Sequence, residues 1–145
     1  MKRIGILIAL TGLLLSACSR GPEPVLYGKD ACQHCKMTIM DKRFAAEIVT
    51  EKGKVYKFDS AECMAGYLAA NADLAANNKI SLLVSYYDHP GIFEDARKSV
   101  FLEDPSMQSP MGGNLAAFNS MASAKSFEKD GKGKYLSWTE LLNSK

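Results

Sequence analysis

Three internal cysteines, two histidines and a scatter of methionines carry most of the chemistry open to this chain. Cys32-Gln33-His34-Cys35 is a C-x-x-C, with Met37 two positions on; Cys63 stands beside Met64; Met107 and Met111 share the stretch Pro105-Ser106-Met107-Gln108-Ser109-Pro110-Met111-Gly112-Gly113. A C-x-x-C alone fits a disulfide, a redox pair or half of a metal site. Lys36 stands where c-type haem attachment needs a histidine, and no second C-x-x-C completes a four-cysteine zinc site. Sulfur dominates the inventory: four Cys and seven Met against two His. Thiolate plus thioether is a soft donor set that selects Cu(I) over zinc and over hard ions such as magnesium or calcium. Thioethers also suit an oxidising compartment, because methionine cannot be lost to a disulfide as two thiols can.

Each candidate has a plainer alternative. Cys63 falls in the first turn of an expected helix, where backbone N–H groups and the helix dipole favour a thiolate. Met64 lies about 100° further round that helix, pairs with Leu68 four residues on, and reads as core. Met107 and Met111 occupy a loop rather than a helix, where packing gives a methionine little purpose. Pro110 and the glycines shape the backbone as if to present Met111, whereas Met107 equally fits a plug over the core. His34 can add a nitrogen ligand or tune a neighbouring thiol, and His89, in Asp88-His89-Pro90-Gly91, reads as a surface turn. The expected site is Met111 with one or both of Cys32 and Cys35, Cys63 and Met37 being the nearest alternatives.

The elements that must position these residues follow from periodicity. Phe44–Thr50 and Lys54–Phe58 are short β-branched or aromatic runs around Glu51-Lys52-Gly53, which predicts a hairpin. Asp59 precedes Glu62 by three, a capping-box-like start. Ala61–Ala72 reads as a helix that ends before Asn77-Asn78. Strands are expected over Lys79–Tyr87, Lys98–Leu102, Leu115–Phe118 and Tyr135–Trp138. Helices are expected from a Ser120 cap to Glu128 and as a turn over Thr139–Asn143. The class is α+β with short antiparallel sheets. A faint echo pairs Met40-x4-Ala45-Ala46 with Met111-x4-Ala116-Ala117, and Gly53-Lys54-x3-Phe58 with Gly133-Lys134-x3-Trp138. Two similar modules, 25–78 and 79–145, would account for it.

Lys2 and Arg3 precede a twelve-residue apolar run, Ile4–Leu15. That run is shorter than the roughly 20 residues a membrane span needs, so residues 1–17 read as a signal peptide. Leu15-Ser16-Ala17-Cys18 resembles a lipobox, which makes Cys18 the lipid-bearing first residue of the mature protein. Residues 18–24 are then a flexible tether rich in Gly and Pro. Loss of Lys2 and Arg3 takes Lys+Arg from 18 to 16 against 16 Asp+Glu, leaving the mature chain near neutral. That balance argues against nucleic-acid binding. The 47% hydrophobic content argues against disorder. No Gly-rich phosphate loop or G-x-S-x-G points to phosphoryl transfer or hydrolysis.

In their order, the lipobox, Cys32-x-x-Cys35-Lys36-Met37, Gly53-Lys54-Val55-Tyr56-Lys57-Phe58-Asp59, Glu62-Cys63-Met64 and Pro110-Met111-Gly112 with Ala116-Ala117-Phe118 resemble the NosL family. Those proteins are copper-chaperone lipoproteins of nitrous oxide reductase assembly. The resemblance implies two small ββαβ-like modules and binding of Cu(I). It implies delivery of copper to apo nitrous oxide reductase and partnership with the membrane transporter complex of that pathway. It places the protein on the periplasmic face of a bacterial membrane, the outer in preference to the inner, as a carrier and not an enzyme. Two rival readings stand beside it. One is an exported thiol-disulfide oxidoreductase using Cys32 and Cys35. The other is a structural lipoprotein with a Cys32–Cys35 or Cys32–Cys63 disulfide.

Overall fold

A computed structural model describes residues 21–145; the expected signal peptide, the expected lipidation site Cys18 and the first part of the expected tether lie outside the described residues. The predicted hairpin forms β1 (Ala46–Val49) and β2 (Val55–Phe58), turned at Gly53, whose φ of 80° is one that side-chain-bearing residues resist. Helix α1 (Ala61–Ala69) follows, then a separate turn of helix, α2 (Ala72–Ala75). The break comes at Asn71, whose side-chain amide donates to the Tyr67 carbonyl and competes with continued helix. Next come β3 (Ser81–Ser85), β4 (Phe93–Asp95), a 3-10 turn (Ala96–Lys98) and β5 (Val100–Glu103). The chain ends with β6 (Leu115–Phe118), α3 (Met121–Phe127), β7 (Lys134–Leu136) and α4 (Trp138–Asn143).

Two antiparallel sheets result, ordered β2-β1-β3-β4 and β6-β5-β7. Each contains the same ββαβ unit: two hairpin-paired strands, a crossing helix, and a third strand on the far side of the first. The α+β class therefore holds. The sheets do not divide at position 78, because β3 pairs with β1 along its length, Ala46 opposite Val84 and Ile48 opposite Leu82. The change of sheet falls in the 3-10 turn at residues 96–98.

The sequence echo also links the wrong partners. It matches β1 with β6 and β2 with β7, which hold different places in their units. The structural repeat is Phe58-Asp59-Ser60 against Phe118-Asn119-Ser120. Ser60 and Ser120 have nearly identical extended backbones, with φ −157° and −156°. Each caps the helix that follows, accepting from the N–H of Cys63 or Ser123. Ser60, not Asp59, is thus the cap of α1, and the Asp59 carboxylate is free to point elsewhere. At the other end Trp138 opens α4 rather than closing β7, behind a Ser137–Glu140 capping box.

The main core draws on both units. Phe58, Met64 and Leu68 pack in one cluster with Phe101, Leu115, Trp138 and Leu141. A smaller cluster holds Met107 with Phe44, Leu102 and Phe118. Met64 and Met107 are accordingly core residues.

Strand β1 is buried on both faces, and the residues N-terminal to it cover the face that carries Glu47. Lys57, directly across from Glu47, clamps that cover by bonding the Pro24 carbonyl at 3.0 Å and Asp30 at 2.9 Å. Glu47 is fully buried with neither carboxylate oxygen partnered. Burial pushes its carboxyl up to about 7; Lys57 opposes the rise and the Glu23 and Asp30 carboxylates add to it. An acid whose pKa rises on folding holds its proton more tightly folded than unfolded. Its contribution to stability is therefore lost as pH climbs from the ordinary carboxylate range through 7. Relative to wild type, Glu47→Gln should gain stability steadily between pH 5 and pH 8, read as urea midpoints. A gap that does not change with pH would mean Glu47 does not titrate there.

Candidate metal centre

The Cys32–Met37 segment closes on itself. The Cys32 N–H donates to the Met37 carbonyl at 2.8 Å, and the Lys36 N–H to the Cys32 carbonyl at 3.0 Å. Lys36 takes the left-handed conformation, φ 66°, to make the turn. A backbone bond from Gln33 N–H to the Lys57 carbonyl, 2.8 Å, pins this loop to the end of β2. The chain then runs through Phe58 and Asp59 into α1, which carries Cys63 in its first turn. A local loop, one long-range backbone hydrogen bond and a helix start thus converge.

Their product is a compact cluster: one ligand-type atom from each of Cys32, Cys35, Asp59 and Cys63 lies within 4.8 Å of all the others. The three cysteines are free thiols. Cys32, Cys63 and Asp59 are buried and Cys35 half-buried, its sulfur donating to Asp59 Oδ2 at 3.4 Å. The Cys63 thiol donates to Cys32 and lowers it to about 6, with backbone N–H groups of the loop adding to the effect against the opposing effect of burial. The same hydrogen bond, with burial and the nearby Asp59, pushes Cys63 up. Cys35 is raised chiefly by burial. The thiols must release protons to bind a metal, and Cys32 gives up its proton most readily of the three.

Beside it opens a cavity of about 210 Å³ lined by His34, Glu62, Cys63, Gly66, Met111 and Gly113, with Lys145 at its edge. It lies between α1 and the loop that precedes β6. His34 packs its Nε2 edge close against α1 because residue 66 is glycine; a Cβ there would lie 2.9 Å from Nε2. Met111 is 44% exposed at the rim.

Of the residues singled out from sequence, the structure gathers Cys32, Cys35 and Cys63 directly and sets Met111 on a cavity that Cys63 shares. Met37 is 55% exposed and does not line the cavity. Asp59 was missed. Its place before Ser60 made it look like a cap, and the signal that could have revealed it is the adjacent serine, an equally good cap that leaves the aspartate spare.

These features define a class of small protein: an α+β scaffold of two ββαβ units holding a largely buried cluster of free thiols beside a cavity rimmed by a methionine. The chain belongs to the NosL family, whose profile matches residues 25–144. A crystal structure of the copper chaperone NosL from Shewanella denitrificans shares the fold, with a TM-score of 0.69 over 87% of this chain and 98% of that one, at 19% identity. No curated protein sequence matches the chain.

Proposed function

We propose that this protein carries Cu(I), held at the periplasmic face of a bacterial membrane by lipid on Cys18, and hands it on for assembly of the copper centre of nitrous oxide reductase. The observation that carries the reading is the convergence of three free thiols from two distant segments beside a cavity rimmed by a methionine. Cys32, Cys35 and Cys63 are the proposed ligands and Met111 the thioether; Met37 is not among them. The related fold, described as a copper chaperone, supports it. Apo nitrous oxide reductase and the transporter complex of its pathway are the proposed acceptor and docking partner.

A carrier must bind tightly and still let go. Two or three sulfur donors hold Cu(I) at low coordination number and leave a position that an acceptor ligand can attack. Cys32, lowered by its neighbours, is the thiol that gives up its proton most readily for the first bond. The Cys35 S–H already points at the Asp59 carboxylate. Nothing in this sequence of ligand exchanges changes a covalent bond in a substrate, so the protein acts as a carrier and not as an enzyme. The C-x-x-C turns in an irregular loop and opens no helix, unlike the active site of a thioredoxin-like oxidoreductase.

The test is competition for Cu(I) against a chromogenic chelator, with X-ray absorption of the loaded protein. Wild type should take up Cu(I) with mainly sulfur neighbours. Met111→Leu, which keeps the apolar bulk, should bind at least ~10-fold more weakly, about 1.4 kcal/mol. Unchanged affinity in that variant removes Met111 from the site. Absence of Cu(I) binding together with insulin reduction that depends on Cys35 would replace the carrier with an oxidoreductase.

A further inference from the structure

Glu62 follows the cap of α1, immediately before Cys63, yet it is buried and faces the other half of the molecule. Its Oε1 accepts from the Ser109 hydroxyl at 2.6 Å, a bond between residues 47 positions apart, while Oε2 has no partner. Ser109 in turn accepts from the Leu115 N–H at 3.3 Å, so this one side chain closes the base of the loop that carries Met111. The loop is costly to shape: Gln108, Gly112 and Asn114 all have positive φ, 44°, 71° and 53°. It also presses on the carboxylate. A Cβ at Gly113 would lie 2.5 Å from Glu62 Oε1. Buried carboxylates are rarely tolerated without a role or full pairing. Here the carboxylate ties the thioether loop to the helix start that holds a thiol.

We propose that Glu62, Ser109 and Gly113 form a latch that positions the Met111 loop over Cys63, and that Glu62, which holds no metal itself, thereby sets whether the thioether joins the site. The inference rests on the copper reading above and adds a positioning residue to it. Release of the latch lets Met111 swing out on its Gly112-Gly113 tip. The cargo then loses its thioether and keeps its thiolates.

The test is a double-mutant cycle in Cu(I) affinity. Ser109→Ala removes the donor, and Gly113→Ala pushes the loop off while leaving Glu62 and Ser109 intact. No positive φ bars alanine at 113, so its effect is the clash alone. Each should weaken Cu(I) binding roughly 10-fold in wild type and have no further effect in Met111→Leu, with one fewer sulfur neighbour by X-ray absorption. Ser109→Thr, which keeps the hydroxyl, should restore affinity. Losses that add fully to that of Met111→Leu, or an unchanged sulfur count, overturn the latch. If Met111→Leu alone binds as wild type does, it is the thioether assignment that fails. Gly113→Ala keeps the test informative should Ser109→Ala fold poorly.

Discussion

Cys63→Ser should weaken Cu(I) binding by about 100-fold or more, roughly 2.7 kcal/mol, the largest affinity loss of any single substitution in the site. Cys63 is the sulfur that links the cluster to the cavity, and it is also the hydrogen-bond partner that holds Cys32 near 6. Serine is nearly isosteric but replaces a soft donor with a hard hydroxyl that does not ionise near neutrality. The fold should survive, because the cap acts on the backbone N–H of residue 63 and not on its side chain. Circular dichroism should therefore match wild type while chelator competition fails. Met37→Leu is the control, with affinity unchanged. A Cys63→Ser protein that binds within threefold of wild type would move the site elsewhere.

Phe58→Ala should cost about 3–5 kcal/mol of stability, a large part of the ~5–15 kcal/mol that domains of this size possess. Phe58 has no exposed surface, pairs across β1 with Ala46, and packs its ring on Tyr67 at 5.4 Å. Calorimetry should show the melting temperature down by at least ~10 °C. Phe58→Leu, which refills most of the volume, should lose far less. Equal losses in the two would show that the ring's volume is not what supports the core. Because Asp59, Ser60 and the bond from Gln33 to Lys57 adjoin this residue, the same cavity should loosen the thiol cluster.

Much of this molecule could be read from local pattern. The hairpin around Gly53, the Ala-rich helix and the Ser120 cap are short-range features, and short-range physics decides them. Strand β4 escaped because Phe93–Asp95 is three residues long and follows Pro90-Gly91, leaving no apolar run to notice. The module boundary was misplaced because membership of a sheet is settled by pairing between distant strands, and β3 carries no local mark of its bond to β1. The site shows the same division. Residue type alone marked the three cysteines and Met111, and loop chemistry separated Met111 from Met64. That Cys63 belongs with Cys32 depends on one backbone bond from residue 33 to residue 57, which no spacing rule encodes. Met37 drew notice because it sits two residues from Cys35; its side chain is 55% exposed, more so than that of Met111.

The cavity between α1 and the 109–113 segment straddles the two halves of the fold. On the proposed ligand set, an ion gripped by thiols of one half and a thioether of the other would be a removable cross-link. Full and empty forms would then differ in stiffness as well as in charge. On the proposed reading, a partner contacting this flank would meet a stiffer molecule when the ion is bound than when it is absent.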